Sequence, residues 1–127
     1  MARSAAPADL AKGLYVTSGF YWDKNDRTRA WAKRFFDRHG KMPTKEQANT
    51  YLATLHWLKG VEAAGTTEAE PVTAAMKAMP TDYFGTPGSI RKDGRVLYDL
   101  DLYQVKGPAE SKAPWDYYKQ VRSIPAS

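Results

Sequence analysis

The side chains able to do chemistry are few in this chain, and their spacing argues for contact with a ligand more than for reaction. His39 and His56 stand far apart, with no HExxH spacing and no cysteine anywhere in the sequence, so neither begins a metal site. Gly13 and Gly19 lack the pattern of a phosphate loop, and GTPGS has no Lys-Ser or Lys-Thr following it before a helix. No Gly-x-Ser-x-Gly elbow supplies a nucleophile. Asp99 and Asp101 sit two apart on one strand face, where paired acids usually decorate a solvated surface. Two groups remain. Phe20-Tyr21-Trp22-Asp23 gathers aromatics on the turn after a strand, the place where open α/β sheets hold ligands, although buried rings also simply fill cores. Gln47 and Asn49 lie in the first turn of a helix, where free backbone donors favour an anion such as a carboxylate, and capping explains Gln47 equally well.

The elements that must position these groups follow from local signals. Thr44 caps the longest helix and Gln47 completes a Thr-x-x-Gln box. Ala48, Tyr51, Leu52, Leu55, Leu58 and Val61 then form one apolar stripe, and Gly65 stops it. Upstream, Leu14 to Phe20 has the β-branched and aromatic content of a strand. Asn25 or Asp26 caps a helix from about Arg27 that places Trp31, Ala32, Phe35 and Phe36 inward and ends at Gly40. Residues 71 to 79 make a short helix with Pro71 in its first turn, and TDYFGTPG reads as loop. Asp93-Gly94 marks a hairpin turn whose second strand runs from Val96 to Val105. That strand points Val96, Tyr98, Leu100 and Leu102 to one side and Leu97, Asp99, Asp101 and Tyr103 to the other. GPAESKAP is a linker, and WDYYKQVRSI forms a last helical turn.

A chain of 127 residues fits one domain, and a domain of this size buries roughly two thirds of its unfolded surface. Its net charge of +5 permits acidic partners, but the cations are spread along the sequence, as on a solvated surface. No apolar run is long enough to span a bilayer. MARSAAPADLAKGL is broken by charge and proline before any hydrophobic region forms, so it is expected to carry no export address.

The succession GLYVTSGFYWDKNDRTRAWAKRFFDRHGKMPTKEQANTYLATLHWLKGVEAAGT, with the DG turn and the YQVK segment after it, resembles the C-terminal third of the periplasmic solute-binding proteins of ABC transporters. It is most similar to the branched-chain amino acid type and to members that bind aromatic acids, and FYWDKNDRTRAW and APWDYYKQVRSIP are its most specific parts. The resemblance implies an α/β fold: a fragment of a type I lobe comprising a strand, two long helices, a short helix, a β-hairpin and a C-terminal tail. Residues 1–12 would be a lead-in, 13–107 a partial solute-binding lobe and 108–127 a tail returning to the other lobe. It implies a hinged clamp that captures an amino acid or carboxylate without catalysis or cofactor and delivers it to a membrane permease from the periplasm. Tyr21, Trp22, Gln47, Ala48 and Asn49 would line the pocket, by the same resemblance. The family's chain is about three times longer, so apolar faces would lack partners and self-association, with exchange of strands or tail, is expected. The alternative is a small basic interaction module that uses Arg27, Arg29, Lys33, Arg34 and Arg38 on nucleic acid or another protein, against which stands the lack of any stacking-sheet motif.

Overall fold

The computed structural model describes residues 8–126. The expected lead-in and the reading of the first residues as carrying no export address fall largely outside them. A short helix α1 (Ala8–Ala11) precedes strand β1 (Tyr15–Ser18).

The two long helices are set by their ends. Helix α2 (Asp26–His39) starts at Asn25, whose side chain accepts from Thr28 N–H while the Thr28 hydroxyl accepts from Asn25 N–H, both at 2.9 Å. It stops at Gly40, left-handed at φ 78°, whose N–H donates to the Phe36 carbonyl. Helix α3 (Lys45–Ala64) has the expected Thr44–Gln47 box and ends at Gly65, φ 66°. Its apolar stripe is covered only in part. Ala48 is fully buried and Leu52, Leu55 and Val61 are half-buried, but Tyr51 is 37% and Leu58 51% exposed. Helix α4 (Ala69–Ala78) packs across α3 at Gly60, where an added Cβ would stand 2.6 Å from Met76 Cγ and 3.3 Å from the Val72 carbonyl.

The strands depart from the sequence reading. The segment expected to be loop at 81–88 forms β2 (Thr81–Tyr83) and opens β3 (Thr86–Ile90), joined by the two-residue turn Phe84-Gly85 with φ of 50° and 94°. Both turn residues take positive φ, as a primed hairpin turn requires. A phenylalanine pays for that geometry by burying its ring against Phe20 and Trp31. The Asp93-Gly94 turn is present, with Gly94 at φ 89°.

The expected single strand from Val96 to Val105 is two. β4 (Val96–Tyr98) closes a small antiparallel sheet in the order β2-β3-β4, and β5 (Leu100–Val105) is the centre of a second sheet in the order β1-β5-β6. The chain changes sheet at Asp99, because β5 finds partners on both sides that β4 lacks. The expected final helical turn is instead strand β6 (Tyr118–Ile124), antiparallel to β5 with a register shift at Leu102/Tyr103. The molecule is thus mixed α/β in two units, the sheet β1-β5-β6 and helices α2, α3 and α4 with β2-β3-β4. Element pairs in extensive contact lie within one unit or the other. The core sits in the helical unit: Phe20, Trp31, Ala48, Tyr83 and Phe84, flanked by Trp22, Phe35, Leu52 and Tyr98.

Candidate functional site

The chain passes from β1 into α2 through Gly19–Asn25, and this crossing is where the aromatic cluster lies. Gly19 is needed there for close approach. An added Cβ would collide with the Tyr98 ring and lie 3.3 Å from Tyr83 Cε1, and those two rings stack at 4.4 Å. Phe20 turns into the core, edge-on to Trp31 at 5.6 Å. Tyr21 is buried, and its hydroxyl donates to the Trp115 carbonyl at 3.2 Å while accepting from Tyr117 N–H at 3.0 Å. Trp22 is half-buried and its Nε1 donates to the same carbonyl at 2.8 Å. Burial raises the pKa of the Tyr21 phenol, which keeps its proton for this bond.

The loop that receives these bonds is itself braced. Asp116 accepts from Lys106 Nζ at 2.5 Å and from Lys112 N–H at 2.9 Å, and Glu110 accepts from Lys119 Nζ at 2.6 Å. The Lys106 bond first, then the Lys112 amide, hold the Asp116 carboxyl below its ordinary pKa, and Asp116 raises that of Lys106 in turn. A carboxyl depressed in the folded state stabilises it fully above the unfolded pKa, and that contribution is lost as pH falls through the lower folded value. Acidification from neutrality to below about pH 4 is therefore expected to narrow the gap in melting temperature between the parent and Asp116→Asn. A gap that stays constant with pH would remove this role from Asp116.

A second set of groups lies on α3. Gln47 spends its side-chain oxygen on Thr44 N–H at 2.9 Å. Ala48, expected at the pocket, has no exposed surface: helical spacing turns it into the core cluster. Asn49 accepts from the Tyr83 hydroxyl and borders a cavity of about 330 Å³ between α3, Met76 of α4 and the small sheet. Leu52, Tyr98 and Ile90 form apolar walls there, with Lys59 and His56 among its polar groups. Desolvation, then neighbouring Tyr98, push the Tyr83 phenol well up. Of the five residues singled out in the sequence, Tyr21 and Trp22 meet at the Trp115 carbonyl, Gln47 closes a cap, Ala48 packs and Asn49 faces the cavity.

Sequence reasoning placed Asp101 among solvated acids, but it is 1% exposed. It takes Lys24 Nζ at 2.5 Å, Ser123 Oγ at 2.6 Å, Gln120 Nε2 at 2.9 Å and the Tyr103 hydroxyl at 3.3 Å. Period-two alternation put Asp101 and Tyr103 on one side of the strand, and that side is the buried one, because the crossing loop and β6 close over it. Trp115 lies in the APWDYYKQVRSIP segment, but its role could not be read there, since it is played by a backbone oxygen.

No cluster of three metal-ligating side chains exists among the described residues. The crossing thus holds one half-buried ring, Trp22, beside the buried rings of Phe20 and Tyr21. The sequence profile of the periplasmic binding protein family matches residues 2–112. The chain belongs to the periplasmic binding protein family. Its two-unit architecture is that of a portion of the type I periplasmic binding protein fold. A periplasmic binding protein from Burkholderia mallei is 44% identical, with a TM-score of 0.87 over 91% of this chain and 31% of that one. A branched-chain amino acid ABC transporter periplasmic ligand-binding protein from Burkholderia xenovorans is 40% identical, TM-score 0.88, over 93% and 32%. A solute-binding protein of an ABC transporter from Rhodopseudomonas palustris, in complex with 3,4-dihydroxy benzoic acid, shares the fold at 17% identity and a TM-score of 0.76, over 93% and 32%. This periplasmic binding protein chain therefore spans about a third of the length of those structures. No curated protein matches it. Among its described residues no helix is long and apolar enough to cross a membrane.

Proposed function

We propose that this chain is part of the solute-capturing component of an ABC transporter, holding an amino acid or aromatic carboxylate for uptake without chemistry and handing it to a membrane permease. One observation carries the reading: a chain of this family folds into two units joined at an aromatic crossing, the arrangement a hinged clamp needs. In this reading Trp22 at the crossing and Gln47 and Asn49 at the start of α3 contact the solute; support comes from the half-buried Trp22 ring and from Asn49 at the cavity. Tyr21 and Ala48 act from beneath, one by fixing the crossing to Trp115 and the other by seating α3 on the core.

The test is a graft of this chain in place of the matching third of the Burkholderia xenovorans relative, titrated calorimetrically with branched-chain amino acids and benzoates. Saturable binding by one class, weakened at least about tenfold by Trp22→Ala, is expected. A folded graft that binds none of them would overturn the proposal. The basic-module alternative is disfavoured because Arg27 pairs with Asp82, Arg29 with Asp23 and Asp26, and Lys33 with Asp37, all at 2.7 to 3.0 Å. Uncovered apolar groups, Leu58 and Trp57 on α3 and Tyr15 on edge strand β1, support self-association of the chain. Light scattering that gives a monomer at micromolar concentration would count against that part.

A further inference from the structure

We propose that the Lys24–Asp101 pair is a latch that fixes the angle between the two units. The inference rests on the reading of the chain as part of a hinged clamp. Apart from the crossing Gly19–Asn25, the chain passes between the units at Asp99, the single residue separating β4 from β5. Tyr21 and Trp22 tie the crossing to the loop before β6, and the Lys24–Asp101 pair ties it to β5 itself. Lys24 sits one residue before the Asn25 cap of α2, where the chain enters the helical unit. Asp101 is in β5, at the centre of the other unit, across from Ser18 and Ser123 in the strand register.

The pair is well shielded, Lys24 being 14% and Asp101 1% exposed at the side chain. Water cannot readily replace either partner, so separating them leaves a buried charge uncompensated and the joint resists opening in a way that a surface pair would not. Ser123 and Gln120 reach Asp101 from β6, and Tyr103 donates from β5 itself. Burial, then the charge of Asp101, push the Tyr103 phenol up and keep it a donor. Three segments, the crossing, β5 and β6, thus meet on one carboxylate. Lys24 and Asp101 are positioning residues in this account: they set the jaw angle and touch no solute.

The chain has no cysteine, so spin labels can be placed at will, for example at Thr17→Cys on β1 and Glu62→Cys on α3, both exposed. Pulsed dipolar spectroscopy of the labelled parent, diluted into an excess of unlabelled chain so that only distances within one chain are read, is expected to give one narrow distance distribution. Lys24→Met and Asp101→Asn are expected to broaden it, and Lys24→Arg to keep it narrow. Hydrogen exchange at the amides of positions 20 and 24 should accelerate about a hundredfold in Lys24→Met while the α3 amides stay near their parent rates. A purely structural role would raise exchange throughout. Ser123→Ala, which removes one donor and leaves the charge pair, covers the case in which Lys24→Met does not fold; it should accelerate the same crossing amides selectively. A broad parent distribution, an unchanged distribution in Lys24→Met and Asp101→Asn, or exchange that rises uniformly or not at all would overturn the latch. No solute enters this experiment, so its failure is distinguishable from a failure of solute capture.

Discussion

Trp31→Ala is expected to destabilise the fold by about 3–5 kcal/mol, the range for removing a large buried aromatic. Trp31 is 8% exposed and joins parts of the chain that are remote in sequence. Its ring centroid lies 5.6 Å from Phe20 at the crossing, 5.2 Å from Phe84 in the β2–β3 turn and 5.1 Å from Tyr51 on α3. Edge and tilted contacts of this kind add to the area term, and the hole left by the indole cannot close without moving two helices and a turn. Phe84 depends on it doubly, because burial of that ring offsets the positive φ its backbone must hold. Since a domain has about 5–15 kcal/mol of stability in all, the variant stands near the edge of folding. Urea unfolding followed by circular dichroism measures the loss, and Trp31→Phe should recover much of it. A loss for Trp31→Ala under about 1 kcal/mol would mean that the aromatic cluster is not the core.

Gly88→Ala is expected to cost about 1–3 kcal/mol through overpacking, although alanine normally suits a strand better than glycine does. The added Cβ would land on the Leu97 carbonyl oxygen, 2.6 Å from Thr81 Oγ1 and 3.2 Å from Tyr98 Cβ. β3 is the central strand, with Gly88 opposite Thr81 on one side and Tyr98 on the other, so moving away from one neighbour drives it into the next. Tyr98 also stacks on Tyr83, and the disturbance should reach the wall of the cavity beside Asn49. Gly40→Ala is the useful contrast. Nothing stands within 4 Å of a Cβ there, so only the left-handed backbone opposes it, at roughly 1 kcal/mol. Thermal unfolding of the two variants side by side separates steric from conformational cost; equal, small shifts would show that β3 can yield.

The Gly88 prediction, and the Phe84 contact in the Trp31 one, rest on strand placements that sequence did not reveal, and the reasons are particular. Phe84-Gly85 makes a primed turn without the usual Asn or Gly in its first position, so TDYFGTPG looked like loop. Val96 to Val105 alternates without interruption, and nothing local marks Asp99 as the point where one sheet ends and another begins. β6 is largely exposed and the groups it turns toward Asp101 are polar, so YKQVRSI offers no apolar period to read; it is a strand because β5 presents an unpaired edge. The same holds at the candidate site. The aromatics Tyr21 and Trp22 were visible as types, but their common partner is a backbone oxygen 94 and 93 residues away.

The sequence by itself determined the ends of α2 and α3, the Asp93-Gly94 turn and the family, because caps, stop glycines and motifs act within a few residues of one another. The tertiary structure alone decided which strands share a sheet, that Ala48 is core while Asn49 meets the cavity, and that Asp101 is a buried anchor for Lys24. A helix closes its hydrogen bonds four residues away and so carries its own instructions. A strand or a buried charge is defined by whatever the rest of the chain brings to it.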